Sequence, residues 1–251
     1  MKIINSPAKN MLSAPDDFVI QGLPVFLKQT QQLLTWMRSL SYQQLKNVWQ
    51  CSDRLTKINY QSLKEISLTQ ALTPAIMAYN GIQFQAMGPE VFSQPALDQV
   101  AADLYILSGF YGVLHAFDGI QPYRLEMRAK ININGYQTLY QYWGDRLYHQ
   151  VFQTQEPVIN LASKEYAQTI EKYLQPGDRL VTCSFKQFSQ GKYRQLATAA
   201  KRARGNMVRF IVENQIRQVK ALKDFNLEGY HYQPQLSSKN NFVFFKENGC
   251  K

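Results

Sequence analysis

Apolar residues along this chain fall into short runs and helical stripes that alternate from one end to the other. Lys2-Ile-Ile-Asn5 reads as a short buried strand that enters a Ser6-Pro7 loop carrying Lys9. Residues 104–107, 158–161, 179–184 and 242–245 are further β-prone runs. Between these runs the apolar positions recur every three or four residues. Phe26, Leu27, Leu33, Leu34 and Met37 predict a helix over 24–40. Ser41 and Gln44 have the spacing of a capping box, opening a second helix with Leu45, Val48 and Trp49. Ser52 or Asp53 caps a third, with Leu55 and Ile58. Helical spacing returns over 69–79, with Pro74 in the first turn, and over 139–152. Pro95 opens a helix reaching Ala102, and Ser163 is placed to cap residues 164–174. Strands alternating with helices predict an α/β fold, with α+β as the alternative. The sheet is expected to be mixed, largely parallel and covered by helices. No repeat or low-complexity linker divides the chain, so one compact domain is expected over 1–251, with 24–65 as a helical-hairpin elaboration.

Residues 194–214 show the cleanest two-faced pattern. Leu196, Ala200, Ala203, Met207, Phe210 and Ile211 share one arc of a helix, while Arg194, Lys201, Arg202, Arg204 and Arg209 fall mostly opposite. Such a helix packs on a core and turns its charge outward. Gly205 costs about 1 kcal/mol against alanine inside a helix. Its presence implies a close approach there, by a neighbouring backbone or by a ligand phosphate.

Charge sharpens this picture. The chain carries 28 Lys and Arg against 18 Asp and Glu, a formal net charge of +10. The excess is local: between Lys186 and Lys223 only Glu213 opposes ten cations. Nucleic acid is the first polyanion this suggests and an anionic membrane surface the second; a solvated face that aids solubility is the plain alternative. Phe188 and Tyr193 lie among Lys186, Lys192 and Arg194, where aromatic rings stack on unpaired bases or join the core.

Other chemistry is sparse. Cys51, Cys183 and Cys250 are far apart, which fits a reducing cytoplasm. The three histidines have no metal-ligand spacing, and no Walker, GxGxxG or GxSxG pattern is present, so neither metal nor cofactor is expected. The opening residues are too short in apolar run for a signal peptide, and no stretch is long enough to span a bilayer. A monomer is the expected state.

Polar side chains concentrate in residues 106–128, ILSGFYGVLHAFDGIQPYRLEMR, read as a strand running into a loop. Ser108, Asp118, Tyr123 and Glu126 are its catalytic candidates, and Arg124 its anion-binding one; a structural ion pair of Arg124 with Glu126 is equally compatible with the residues. This stretch resembles the YaaA family of peroxide-stress proteins. Further blocks match in order: Ser6-Pro-Ala-Lys9, Leu139-Tyr-Gln-Tyr-Trp-Gly144, residues 158–166, 200–205 with Met207, and Gly229-Tyr230. Ala116 and Arg128 depart from the family's proline and glycine. The resemblance implies a peroxide-response role linked to limiting iron, DNA binding through a positive cleft, and a helix-hairpin-helix-like element within 24–65, although no glycine marks that hairpin here. Lys9, Arg124, Lys192, Arg194, Lys201, Arg202, Arg204 and Arg209 are then the expected nucleic-acid contacts, on structured or non-specifically bound DNA. The alternative is an enzyme acting on a nucleotide or base through the 108–126 loop. In either case the segments 6–9, 108–124 and 160–165 are expected to share one rim of the sheet.

Overall fold

Ile3 and Ile4 have no exposed surface, because the strand that carries them runs between two others and is covered on both faces. The computed structural model describes residues 1–13, 18–189 and 191–246. Its elements begin with β1 (Lys2–Asn5), the helices α1 (Leu27–Ser39), α2 (Tyr42–Trp49) and α3 (Asp53–Glu65), then β2 (Thr73–Pro74), α4 (Ala75–Ala78), α5 (Ile82–Met87) and α6 (Gln94–Asp103). The middle of the chain forms β3 (Leu104–Ser108), β4 (Gly112–His115), β5 (Gly119–Ile120), β6 (Lys130–Ile133), β7 (Tyr136–Thr138), α7 (Leu139–Trp143) and α8 (Arg146–Val151). It closes with β8 (Val158–Leu161), α9 (Lys164–Glu171), β9 (Leu180–Ser189), β10 (Lys192–Arg194), α10 (Ala197–Glu213), β11 (Tyr230–Tyr232) and β12 (Asn241–Lys246).

The main sheet has the order β11-β12-β9-β8-β1-β3-β4, with β10 paired to β9. β1 is parallel to β3 and β8, and β9 is parallel to β8 and β12; β4, β10 and β11 are antiparallel additions. This is the mixed, largely parallel α/β arrangement read from the alternation of strands and helices. From β1 the chain moves to β3 on one side, whereas from β8 it moves to β9 on the other. The adjacent β1 and β8 therefore form a topological switch point, where the loops after the two strands part and leave a crevice.

Both predicted helix starts in the elaboration are present. Ser41 and Gln44 form the capping box of α2, and the Ser52 side chain accepts from the Leu55 amide at the start of α3. Arg38 donates to the carbonyls of Leu63, Lys64 and Ile66, tying α1 to the end of α3. Because Ser41 and Ser52 already occupy helix-start amides, those helices offer fewer free donors to a phosphate than a helix-hairpin-helix contact uses.

Four segments differ from the sequence expectation. Over 69–79 the backbone forms β2 and the single turn α4, because the amides of Ala75 and Ile76 bond to the carbonyls of Asp118 and Ala116. The 139–152 segment is two helices, broken where Gly144 takes φ +55°. Ser163 makes no cap with its side chain; its hydroxyl and amide are engaged by Ser6. Arg194 lies in β10, opposite Gln187 of β9, and the basic helix begins only at Ala197.

Gly205 resolves as a close packing of two helices. A Cβ there would lie 2.0 Å from the Gln83 carbonyl oxygen and 3.0 Å from the Ala86 Cβ, so α10 and α5 meet backbone to backbone. Alanine gains about 1 kcal/mol of helix propensity, but a rigid backbone oxygen in its path makes this an overpacking site costing about 1–3 kcal/mol or more. Gly205→Ala is therefore expected to lower the urea-unfolding free energy despite its better propensity. A variant as stable as the parent would contradict this crossing.

Candidate functional site

The loops after β1, β3 and β8 all leave the same edge of the sheet, as parallel pairing requires. They enclose a cavity of about 410 Å³ lined by Ser6–Asn10, Asn80–Gln83, Tyr123–Glu126, Ser163, Glu165, Tyr166 and, from α10, Lys201 and Arg204. Ser6 and Ser163 stitch the switch point together: the Ser163 amide donates to Ser6 Oγ at 2.8 Å, and Ser6 Oγ donates to Ser163 Oγ at 3.3 Å. Gln83 of α5 reaches the same place, donating to Asn5 Oδ1 and to the Leu161 carbonyl at 3.2 Å. Thus 6–9, Tyr123-Arg124 and 163–165 do converge on one rim.

The middle of 108–124 does not. β4 runs antiparallel to β3 with Ser108 opposite Gly112 and Tyr105 opposite His115, so the chain travels back along β3 before Asp118. Asp118 lies away from the cavity and accepts from the His115 amide at 2.8 Å. Burial raises its pKa, partly offset by that amide and by His115. It is a turn residue of the hairpin and does not line this cavity, so it stands apart from the other catalytic candidates. The chain then returns by β5, bringing Tyr123 beside Ser108. Gly109 makes the return possible: a Cβ there would lie 2.5 Å from the Leu125 carbonyl oxygen.

Ser108 is fully buried and accepts from the amides of Phe110 and Tyr111 at 3.2 and 2.9 Å. With its lone pairs so used, its proton goes to Tyr123 Oη, 2.6 Å away, and Tyr123 in turn meets Tyr79 Oη at 2.9 Å. Burial pushes the Tyr123 phenol up to about 12. The trio is a protonated network that fixes the loop, and Ser108 is held as a structural hydroxyl.

Glu126 is the centre of the charge arrangement. Its Oε1 lies 2.9 Å from Lys9 Nζ and 3.0 Å from an Arg124 nitrogen, and its Oε2 lies 3.7 Å from Arg128. The Arg124–Glu126 ion pair that the residues allowed is therefore formed, with Lys9 as a further partner. Arg128, at the position where the resemblance has glycine, has no left-handed backbone to strain it and joins this cluster. The other acid of the cavity, Glu165, accepts from the Arg128 amide at 3.2 Å.

The cations expected along the basic helix separate into three groups. Lys201 and Arg202 are exposed on α10, with Arg202 3.9 Å from Glu228. Arg209 is half-buried and pairs with Glu213 at 3.0 Å. Arg204, expected on the outward arc, is buried, with 8% of its surface exposed, and it faces the cavity. The wheel misplaced it because α5 and α6 pack on α10 in addition to strand β9, so more than a single face of the helix is covered. Among the described residues no hydrogen bond or ion pair reaches its guanidinium, and its Nε is enclosed without a partner. Burial lowers its pKa from the ordinary arginine value. Lys192 and Arg194 lie apart from the helix, on the β9–β10 ribbon, where Phe188 and Tyr193 are both exposed and stack edge to face at 5.4 Å. That ribbon passes beyond the neighbouring strand β8, which ends in register with β9 at Thr182.

Cys183, close to Arg204, is enclosed, and burial pushes its thiol up to about 12. Cys51 is half-buried and meets Thr56 Oγ1 at 3.4 Å; Cys250 lies outside the described residues. Among the described residues no group of three His, Cys, Asp or Glu side chains is placed to hold a metal, and no helix is long and apolar enough to cross a membrane.

The likeness to known proteins runs through almost the whole chain, including the segments that line this cavity. A sequence model described as "Peroxide stress protein YaaA" matches residues 1–236. A UPF0246 protein of Ligilactobacillus salivarius is 54% identical over 246 residues, covering 98% of this chain and all of the relative. UPF0246 proteins of Limosilactobacillus reuteri and Lactiplantibacillus plantarum are each 49% identical, covering 97% of this chain and 98% of their own length. This chain belongs to the YaaA (UPF0246) family of peroxide stress proteins.

Proposed function

We propose that the protein acts in the peroxide response as a cytoplasmic DNA-binding protein, reading shape and charge with little sequence selectivity and so helping to limit iron-driven damage. The observation that supports this most directly is the convergence of Lys9, Arg124, Lys201 and Arg204 on one open cavity whose acids, among the described residues, are Glu126 and Glu165. Lys201 in the cavity wall suits the phosphates of a duplex laid across it, and Arg202, next to it on α10, is exposed and adds to the same positive field. Lys192 and Arg194 continue the positive surface along the β9–β10 ribbon, where exposed Phe188 is the aromatic that suits an unpaired base, since Tyr193 already has one face stacked on Phe245 at 3.8 Å. No helix resembles a sequence-reading element, and phosphate contacts alone carry no sequence information.

The catalytic alternative has less support. Asp118 serves a turn, Ser108 is spent on backbone amides, Tyr123 stays protonated, and Glu126 is neutralised by cations. None of these is poised to activate water or attack a substrate.

Replacing Lys9, Lys201 and Arg202 together by alanine is expected to weaken duplex binding and to flatten its salt dependence. Each lost phosphate contact lowers the slope of log affinity against log salt by about 0.9 on B-form DNA, so a fall of up to about 2.7 is expected. Fluorescence-anisotropy titrations at four or five salt concentrations measure it. A folded triple variant with unchanged affinity and slope would identify this face as a solvated surface.

Glu126→Gln is expected to act oppositely on binding and stability. It frees Lys9 and Arg124 for phosphate, so affinity for DNA rises and the salt slope steepens. The same change leaves the largely buried Arg124 without its carboxylate, at a cost of about 1–3 kcal/mol in urea unfolding. Weaker DNA binding by this variant would count against the groove.

A further inference from the structure

Arg204 cannot meet a phosphate on the outside of a duplex. It is more than nine-tenths buried, at the inner wall of the cavity, whereas Lys201, one turn earlier on α10, is exposed. A guanidinium buried without any partner is costly. Here it has no carboxylate, and its enclosed Nε has no acceptor. An anion that enters the cavity would supply the charge partner that this group lacks among the described residues.

The ligand can be specified further. A bridging phosphodiester carries one charge and is flanked by two sugars, so it has no free end to insert. A terminal phosphomonoester carries about −1.5 to −2 at neutral pH and three free acceptor oxygens, matching the planar fork of an arginine. The cavity holds far more than phosphate alone. Across Lys9, Asn10, Tyr123 and Arg124 it adjoins a second cavity of about 440 Å³, bounded in part by Met37, Trp49, Ile58 and Leu63. That is an apolar wall of the kind that takes a nucleoside.

We propose that Arg204 is the recognition residue of a pocket for a nucleoside phosphomonoester, presented as a free mononucleotide or as the phosphorylated end of a DNA strand. Its phosphate sits between Arg204 and Lys201, and its nucleoside extends past Arg124 toward the second cavity. This deepens the reading of the groove as a nucleic-acid site and rests on it.

The test uses the full chain and fluorescent 12-nucleotide single strands that differ only in a terminal phosphate or hydroxyl, at the 5′ and at the 3′ end, with AMP, adenosine and inorganic phosphate as competitors. A phosphorylated end is expected to bind about tenfold more tightly than its hydroxyl counterpart, the worth of one good charge-assisted contact. AMP is expected to compete, and adenosine to compete far less. Competition by AMP without any end preference assigns the pocket to free nucleotides; end preference without AMP competition assigns it to strand ends. In Arg204→Met the ratio between phosphorylated and hydroxyl ends is expected to fall to about one, whereas Arg202→Ala weakens both strands alike and keeps the ratio. Methionine replaces an unpaired buried charge and should be tolerated; should it fail to fold, Arg204→Lys is expected to lower the ratio several-fold by losing the fork. Equal binding of both ends together with no competition by AMP overturns the proposal, and if duplex DNA still binds, the DNA-binding reading survives that failure. Inorganic phosphate competing as well as AMP overturns it as a nucleotide site.

Discussion

The approach of α10 to α5 at Gly205 sets the geometry of the whole site. Helix α5 is pinned at two levels. Its backbone carries the Gln83 carbonyl that Gly205 admits, and the Gln83 side chain holds Asn5 and Leu161 at the ends of β1 and β8. The register of the basic helix against the sheet edge is thereby fixed through one residue of α5. Arg204 precedes Gly205 directly and Lys201 lies one turn before it, so their placement over the crevice follows from the same crossing. A bulkier residue at 205 would move the cations away from the edge as well as strain the core.

Charge in the groove divides into a neutralised part and an unneutralised part. Lys9, Arg124 and Arg128 share Glu126, which lets three cations stand close together without strong mutual repulsion. Arg204 has no such companion. The nearby Cys183 is enclosed and its thiol is pushed up to about 12, so it supplies no negative charge at neutral pH. Nor is it a nucleophile there, since reaction with peroxide runs through the thiolate.

The parts of this architecture that could be read from the sequence are those set by local periodicity. The apolar runs located β1, β3, β8, β9 and β12, and the Ser41/Gln44 spacing located the start of α2. The polar residues after three strands indicated a shared rim, because parallel strands must end on the same edge. Asp118 stands off that edge because antiparallel β4 carries it away, and nothing in 106–128 marks where the chain reverses beyond two glycines. Arg204 was misjudged because a helical wheel assigns one buried face, whereas α10 is covered from two directions. Gly205 announced a close approach, but only the fold could say that the approaching group was a carbonyl of α5. Ser163 carries a capping residue's identity, yet a partner far away in sequence, Ser6, claims its hydroxyl. Tyr79 carried no signal, since a tyrosine in an apolar stretch reads as core, and its role in the Ser108–Tyr123 network depends on contacts across the fold.

Glu126 also acts as a resident competitor. An anion that approaches Lys9 and Arg124 finds a carboxylate already within 3.0 Å of each and gains only by offering more than that carboxylate does. A chloride ion brings one charge and no reach, and so cannot displace a tethered group whose effective concentration is high. A ligand with several charges spaced along a chain can leave that pair intact and still engage Lys201 and the rim. Lys9 and Arg124 thus present a threshold to small anions that Arg204, with no carboxylate beside it among the described residues, does not.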